Sequence, residues 1–115
     1  MAIFHLAHRD DWDAALISGT YEISTLGARL EEVGFIHASY AHQLGPVAEF
    51  VYAQDEAELC VLVLDPAAIR AAGTHVVDED GGDGLLYPHI YGPIRPSFVT
   101  EVRPAAFDAE GRFRS

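Results

Sequence analysis

Three histidines lie inside apolar segments, where an imidazole ring needs either a hydrogen-bond partner or a ligand. They are His5 in IFHLA, His37 in GFIHAS and His89 in YPHIYGP. Imidazole is the side chain best suited to proton transfer near neutral pH. We therefore predict that the three rings line one cleft and that His5, His37 and His89 are catalytic residues. The alternative is that each is a core histidine bonded to main-chain groups.

Ser39 follows His37 by two residues, so in a strand the two side chains would share one face. Their separation of about 7 Å along a strand is too long for a direct hydrogen bond. A bond between Ser39 and His5 from a neighbouring strand is geometrically possible. We predict that Ser39 lies in the same cleft and contacts a substrate.

The segment around His89 carries tyrosines at Tyr87 and Tyr91, in alternation with the histidine. Pro88 and Pro93 stiffen it. A rigid aromatic segment of this kind suits a flat ring or a sugar, so both tyrosines are predicted to bind substrate. The alternative is a packed loop that covers the edge of a sheet.

Local spacing supports no metal site, since the chain has neither an H-E-x-x-H motif nor a pair of cysteines. The three histidines could still bind zinc through space, which keeps a metal-dependent hydrolase as an alternative. The acidic segment 78–84 fails as an EF-hand, because Gly82, Asp83 and His89 occupy positions that need other residues. We therefore assign no metal ligand. All seven basic residues are arginine, which excludes chemistry that depends on lysine.

The composition fits one acidic domain. The chain has 115 residues, half of them hydrophobic, and a net charge of −11. Phosphate backbones would repel such a protein, so we expect no general nucleic-acid binding, although a few convergent arginines could hold a small anion. No apolar run is long enough for a membrane span, and no signal peptide is evident, so the expected location is the cytoplasm. The single cysteine, Cys60, lies in an apolar run and is expected to be an inert core residue.

Hydrophobic patterning predicts an α+β fold over residues 1–115, with a split, mixed sheet and helices packed beside it. The tail, about 105–115, is expected to be loosely attached. Pro88 and Pro93 argue against a regular central strand over 85–94, and Pro46 should begin or bend the helix over 41–53. Strands are predicted at 2–7, 35–39, 58–65, 74–77 and 98–103, and helical segments at 10–19, within 20–34, 41–53 and 66–72.

Several motifs in the same order resemble a bacterial family catalogued as domain of unknown function 952. They cover almost the whole chain: Ile3–Ala7, Asp11-Trp12, Gly19, Gly34–Ser39, Asp65-Pro66, Pro88–Pro93 and Glu101–Pro104. The pattern is also similar to the ADP-ribosyltransferase fold, and more specifically to tRNA 2′-phosphotransferases. This second resemblance is at the level of the fold.

The second resemblance implies NAD as a cofactor and cleavage of a C–N bond. His5 would then orient the nicotinamide ribose, and His37 with Ser39 would line the same pocket. It also implies that Tyr87 or Tyr91 stacks on a ring. Glu101 is an acid within the last of these motifs, and it is assigned to substrate binding.

The sequence thus predicts a small-molecule enzyme or binder with a nucleotide or sugar-phosphate ligand, and ADP-ribosyltransferase-like chemistry as the specific expectation. A non-enzymatic interaction or ligand-binding module is the rival from another class. A carboxylate that faces the strand histidines would favour the enzyme.

Overall fold

All 115 residues are described by a computed structural model, in which the chain forms two antiparallel sheets and four α-helices. The radius of gyration of 13.2 Å is close to the value of about 13 Å expected for one domain of this length. The predicted α+β fold is confirmed. In chain order the elements are β1 (Ile3–His8), α1 (Arg9–Ser18), α2 (Leu30–Val33), β2 (Ile36–His37), α3 (Ala41–Val51), β3 (Leu59–Leu64), α4 (Pro66–Ala71), β4 (Val76–Asp80), β5 (Leu86–Ile90), a 3₁₀ turn (Pro96–Phe98), β6 (Val99–Phe107) and β7 (Phe113–Arg114).

The larger sheet has the order β1-β3-β6-β7. Its strand β3 is buried along its whole length because both of its faces are covered. The even-numbered side chains of β3 join a core cluster of 15 buried residues that includes Trp12 of α1. The odd-numbered side chains join a second cluster of 8 buried residues, with Leu44 and Ala48 of α3. An uninterrupted apolar strand is what a position between two such layers requires.

The smaller sheet has the order β2-β5-β4 and meets the larger one at a single bridge. Phe4 of β1 and Ser39 exchange two backbone hydrogen bonds, each 2.8 Å long. This bridge joins an edge of the larger sheet to the chain just beyond β2. It therefore brings His5 of β1 beside His37 of β2.

The smaller sheet has β5 at its centre, which corrects the expectation that Pro88 would prevent a central strand. Successive residues of a strand direct their N–H and C=O groups to opposite neighbours. The Pro88 carbonyl accepts a hydrogen bond from the Ala38 N–H at 3.0 Å. The Pro88 nitrogen, which has no hydrogen to donate, therefore also faces β2. Since β2 ends at His37, the proline removes one bond at the end of a short ladder. The pairing of β5 with β4 is left intact.

The helix α3 begins at Ala41, so Pro46 lies inside it and neither starts it nor ends it. Proline removes the hydrogen bond to the carbonyl four residues earlier, and that residue, His42, is exposed. In the segment 20–34 only α2 is helical, and a turn with Leu26 at a φ of 52° precedes it. None of the helices has both the length and the apolar character needed to cross a membrane.

Two further expectations are wrong. Every strand pair is antiparallel, so the sheets are not mixed. The segment 105–115 is not a loose tail, because β6 continues to Phe107 and β7 pairs with it. The rings of Phe107 and Phe113 pack edge to face at 5.7 Å and extend the second core cluster. Apolar burial thus holds the end of the chain on the sheet.

Candidate functional site

A cavity of about 320 Å³ lies where the two sheets meet beneath α3. His5, His37 and His89 all line it, so we call it the imidazole cavity. Its other walls come from the segment 24–25, from α3 and from the turn that follows β4. The structure thus brings the three sequence-predicted histidines together. Their ring nitrogens, however, have very different surroundings.

His5 is a buried histidine whose ring nitrogens are both occupied. Its Nδ1 lies 2.6 Å from the carbonyl oxygen of His37 and its Nε2 lies 2.8 Å from the Tyr21 hydroxyl oxygen. A carbonyl can only accept, so Nδ1 carries the proton and Tyr21 donates to Nε2. Burial lowers the pKa of His5 from 6.5 to about 4, so the ring is neutral at pH 7. His5 therefore has no free nitrogen for a substrate or a metal ion.

His37 presents an imidazole ring that makes no hydrogen bond within the chain. Every side-chain nitrogen or oxygen that is shut off from solvent has a partner, so the unpartnered ring nitrogens of His37 are reachable from the cavity. Burial, and next the positive charge that His89 can carry, lower the pKa of His37 to about 4. At pH 7 the ring offers one donor and one acceptor to a ligand.

His89 is directly opposite His37 in the β2–β5 pairing, and the two ring centroids are 5.9 Å apart. Its Nδ1 lies 2.9 Å from the Glu79 carboxylate, and its ring stacks on Phe35 at 3.9 Å. The Tyr91 hydroxyl donates to the same carboxylate oxygen. These bonds from Tyr91 and His89 lower the pKa of Glu79, so the carboxylate is ionised at neutral pH.

The pairing with Glu79 determines which nitrogen of His89 can react. Since Nδ1 donates to the carboxylate, Nε2 of the neutral ring is an acceptor. The side chain of His89 is only 6% exposed. Its Nε2 has no partner in the chain and so, like the ring of His37, must be reachable by solvent. The cavity thus contains a buried, oriented base with one free lone pair.

The predicted substrate-binding residues have different positions relative to the cavity. Ser39 lines it, is 2% exposed, and has a hydroxyl that makes no hydrogen bond within the chain. The Tyr87 ring contacts His37 edge to face at 5.1 Å. Its hydroxyl donates to Asp83 at 2.6 Å, which raises the pKa of Tyr87 to about 12. Tyr91 lies beside the cavity, where it contacts Glu79 and Phe35.

Glu101 does not line the cavity, so the structure does not bring it together with the three histidines. It lies on β6, exposed and paired with Arg103 at 3.2 Å, while β3 separates β6 from β1. The acids near the histidines are instead Glu79 and Asp80, which the sequence indicated only as part of a solvated loop. A glycine-rich turn between two short strand-like segments would have indicated a hairpin, in which Glu79 and His89 are diagonal neighbours on one face.

The cavity wall includes no arginine, and Asp80 is its one carboxylate. A diphosphate inside the cavity would therefore lack an arginine to bind it. Nor does the chain hold any group of three histidine, cysteine, aspartate or glutamate side chains arranged to bind a metal ion. Because both nitrogens of His5 are occupied, the three histidines do not form a ligand set.

Solved structures with similar folds include protein CC0527 from Caulobacter crescentus. Its crystal structure is 27% identical and matches 99% of this chain and 94% of that one, with a TM-score of 0.83. Its solution structure is 29% identical over 96% and 90% of the two chains, with a TM-score of 0.75. No curated protein matches the chain. The model of the family described as "protein of unknown function (DUF952)" matches residues 6–102, and the chain therefore belongs to that family.

Proposed function

We propose that this protein is an enzyme that acts on a small molecule in the imidazole cavity, with His89 as the general base. The hydrogen bond between His89 Nδ1 and Glu79 carries the proposal. A carboxylate in this position fixes the imidazole tautomer and stabilises the imidazolium that forms when Nε2 takes a proton. A hydroxyl group or water molecule bonded to Nε2 would become a nucleophile. Glu79 is then a positioning residue.

His37 supports the same chemistry because its ring stays neutral. A ligand group held between the two rings, whose centroids are 5.9 Å apart, can bond to both of them. With a pKa of about 4, His37 adds no second positive charge when His89 is protonated. It can therefore orient the reacting group at little electrostatic cost.

The Glu79 carboxylate favours an enzyme over a binding module, since a module has no need of an oriented base. The metal-dependent hydrolase has no such support, because no ligand set is formed.

ADP-ribosyltransferase-like chemistry is the narrower form of the proposal. The motifs similar to tRNA 2′-phosphotransferases support it, and Asp80 provides a carboxylate that could stabilise an oxocarbenium-like state. Because the cavity wall has no arginine to bind the diphosphate, we expect only the nucleoside or ribose part of NAD to enter the cavity. We therefore expect uncharged nucleosides to bind at least as well as NAD or ADP-ribose.

A ligand panel tests binding at this site. Thermal unfolding of the wild type is measured with NAD, ADP-ribose, uncharged nucleosides and monosaccharides, and then repeated for His37→Ala and His89→Ala. We expect a ligand that raises the wild-type Tm to lose that effect in both variants. His75→Ala is the matched control, because His75 is exposed and does not line the cavity. Equal shifts in all four proteins, or no shift with any compound, would reject the proposal.

Turnover of a ligand found in this way separates an enzyme from a binding module. Removing a general base typically slows a reaction by about 10²–10⁴-fold, so His89→Ala should retain little turnover. Glu79→Gln should bind the ligand with similar affinity and still react more slowly, because the imidazole loses the group that fixes its tautomer. Binding without any turnover in the wild type would leave the binding module as the correct class.

A further inference from the structure

A second hollow of about 440 Å³ lies beside the imidazole cavity and has a mainly apolar wall. We call it the apolar groove; Pro46, Phe50 and Leu85 are among its lining residues. His37, Val47, Val51 and Gly81 line both spaces, so the groove adjoins the cavity. A molecule in the cavity therefore lies next to the groove.

The groove carries large apolar side chains that the fold itself leaves uncovered. Phe50 on α3 is 89% exposed, and Leu85 in the turn before β5 is 55% exposed. Exposed apolar side chains that converge beside a cavity are typical of ligand-binding surfaces. Because they adjoin an interior site, an apolar part of the same ligand is the occupant that this position favours.

The cavity and the groove share a second property, which is the sign of their charge. Asp80 lines the cavity and Asp83 lines the groove, and neither space is lined by an arginine. The whole chain has a net charge of −11. An anionic ligand would therefore be repelled by a carboxylate in each space and would find no arginine to offset that repulsion.

Two polar atoms in the cavity make no hydrogen bond within the chain, are open to solvent, and define what the ligand must offer. The Nε2 atom of His89 is an acceptor, and the hydroxyl of Ser39 makes no hydrogen bond within the chain. Both residues are at least nine-tenths buried. A ligand group that donates a hydrogen bond, such as a hydroxyl or an amine, satisfies the acceptor at Nε2.

We infer that the ligand is a non-anionic amphipathic molecule, with a hydrogen-bond-donating head in the imidazole cavity and an apolar arm in the apolar groove. The inference rests on the proposed function, since it uses the same cavity. It adds the chemical class of the substrate. The arm accounts for the exposure of Phe50 and Leu85, and the head accounts for the free acceptor at His89.

Three probes that differ only in their polar group test which head the imidazole cavity accepts: 3-phenylpropan-1-ol, 3-phenylpropylamine and 3-phenylpropanoate. Binding is followed by NMR through the ring protons of His37 and His89. We expect the alcohol and the amine to perturb these signals, and the carboxylate to bind at least about tenfold more weakly, which corresponds to about 1.4 kcal/mol. Equal affinity for the carboxylate would overturn the charge argument.

Two exposed side chains with nearly equal exposure test the arm. Phe50→Ser removes an apolar side chain from the groove, whereas Ile17→Ser removes one that is 90% exposed on α1 and lines neither space. We expect Phe50→Ser to weaken the binding of 3-phenylpropan-1-ol severalfold. The binding of propan-1-ol, which has no arm, should not change. Ile17→Ser should leave the affinity for both alcohols unchanged. Equal losses in both variants, or none, would show that the arm does not lie in the groove.

The outcomes distinguish this inference from the proposed function. If another ligand of the panel binds at His37 and His89 while all three phenyl probes fail, the inference falls alone. If nothing perturbs either histidine, both proposals fall. If sedimentation shows a wild-type dimer that Phe50→Ser dissociates, a second copy of the chain covers the groove and the inference is wrong.

Discussion

Acid should lessen the destabilising effect of removing His37. Burial lowers the pKa of His37 from 6.5 to about 4, so the unfolded chain binds the proton more readily than the folded one. The stability that comes from the neutral ring is therefore complete above pH 6.5 and is lost as the pH falls towards 4. At about 1.4 kcal/mol per pKa unit, the loss between pH 7 and pH 4 is about 3 kcal/mol.

The substitution His37→Ala removes this proton-linked loss and also removes the ring's packing against Tyr87 and His89. At pH 7 the variant should be less stable than the wild type, because a partly buried ring is lost. Between pH 7 and pH 4 the difference in free energy of unfolding should move in favour of the variant by about 3 kcal/mol. The carboxylates titrate in both proteins, so their effect cancels in the difference.

Urea unfolding measured at several pH values from 4 to 7.5 provides the assay. The single tryptophan, Trp12, is 4% exposed and should report the loss of the core by fluorescence. His75→Ala controls for the removal of a histidine outside the cavity. A free-energy difference between the wild type and His37→Ala that does not change with pH would refute the reasoning, as would an NMR titration of His37 with a midpoint near 6.5.

Three further predictions concern stability and are checked by urea unfolding at pH 7. Tyr21→Phe should lower the free energy of unfolding by about 1–3 kcal/mol, because it leaves the buried Nε2 of His5 without a donor. An unchanged free energy of unfolding would contradict the assigned tautomer. Gly81→Ala should lower the free energy of unfolding by about 1–3 kcal/mol, because the alanine Cβ would lie 2.5 Å from the Tyr87 ring. An unchanged free energy of unfolding would mean that the ring moves freely. Deletion of 105–115 should clearly lower the urea midpoint, because β7 and its aromatic contacts are lost; a truncated protein with the wild-type midpoint would support the loose tail.

Local patterning predicted the parts of the fold that depend on local sequence. The unbroken apolar run of β3 indicated a strand, and the strands that carry His5 and His37 were also recognised. The position of β5 was missed, because a proline is harmful only on the side where its N–H is needed. That side depends on which strand lies next to Pro88, and pairing over a long sequence distance leaves no mark in local periodicity.

The candidate site was predicted in part for the same reason. Apolar surroundings singled out the three histidines as candidates for one cleft, and the structure brings them to one cavity. The acid beside His89 was missed because Glu79 lies in an acidic run whose composition is that of a solvated loop. Only the register of the β4–β5 hairpin turns Glu79 towards His89. Glu101 was assigned from a motif alone, and its neighbours on β6 leave it in solvent.

The occupancy of ring nitrogens divides the three histidines into two roles. His5 uses both nitrogens within the protein, and one of them holds the backbone carbonyl of His37 at 2.6 Å. Loss of that bond would release the main chain of β2 and so move the His37 ring relative to His89. A loss of activity on substituting His5 would therefore not mean that His5 touches a ligand, since the same loss follows from a displaced His37. Catalysis would depend on the two rings with free nitrogens, and His5 would act through the backbone that positions one of them.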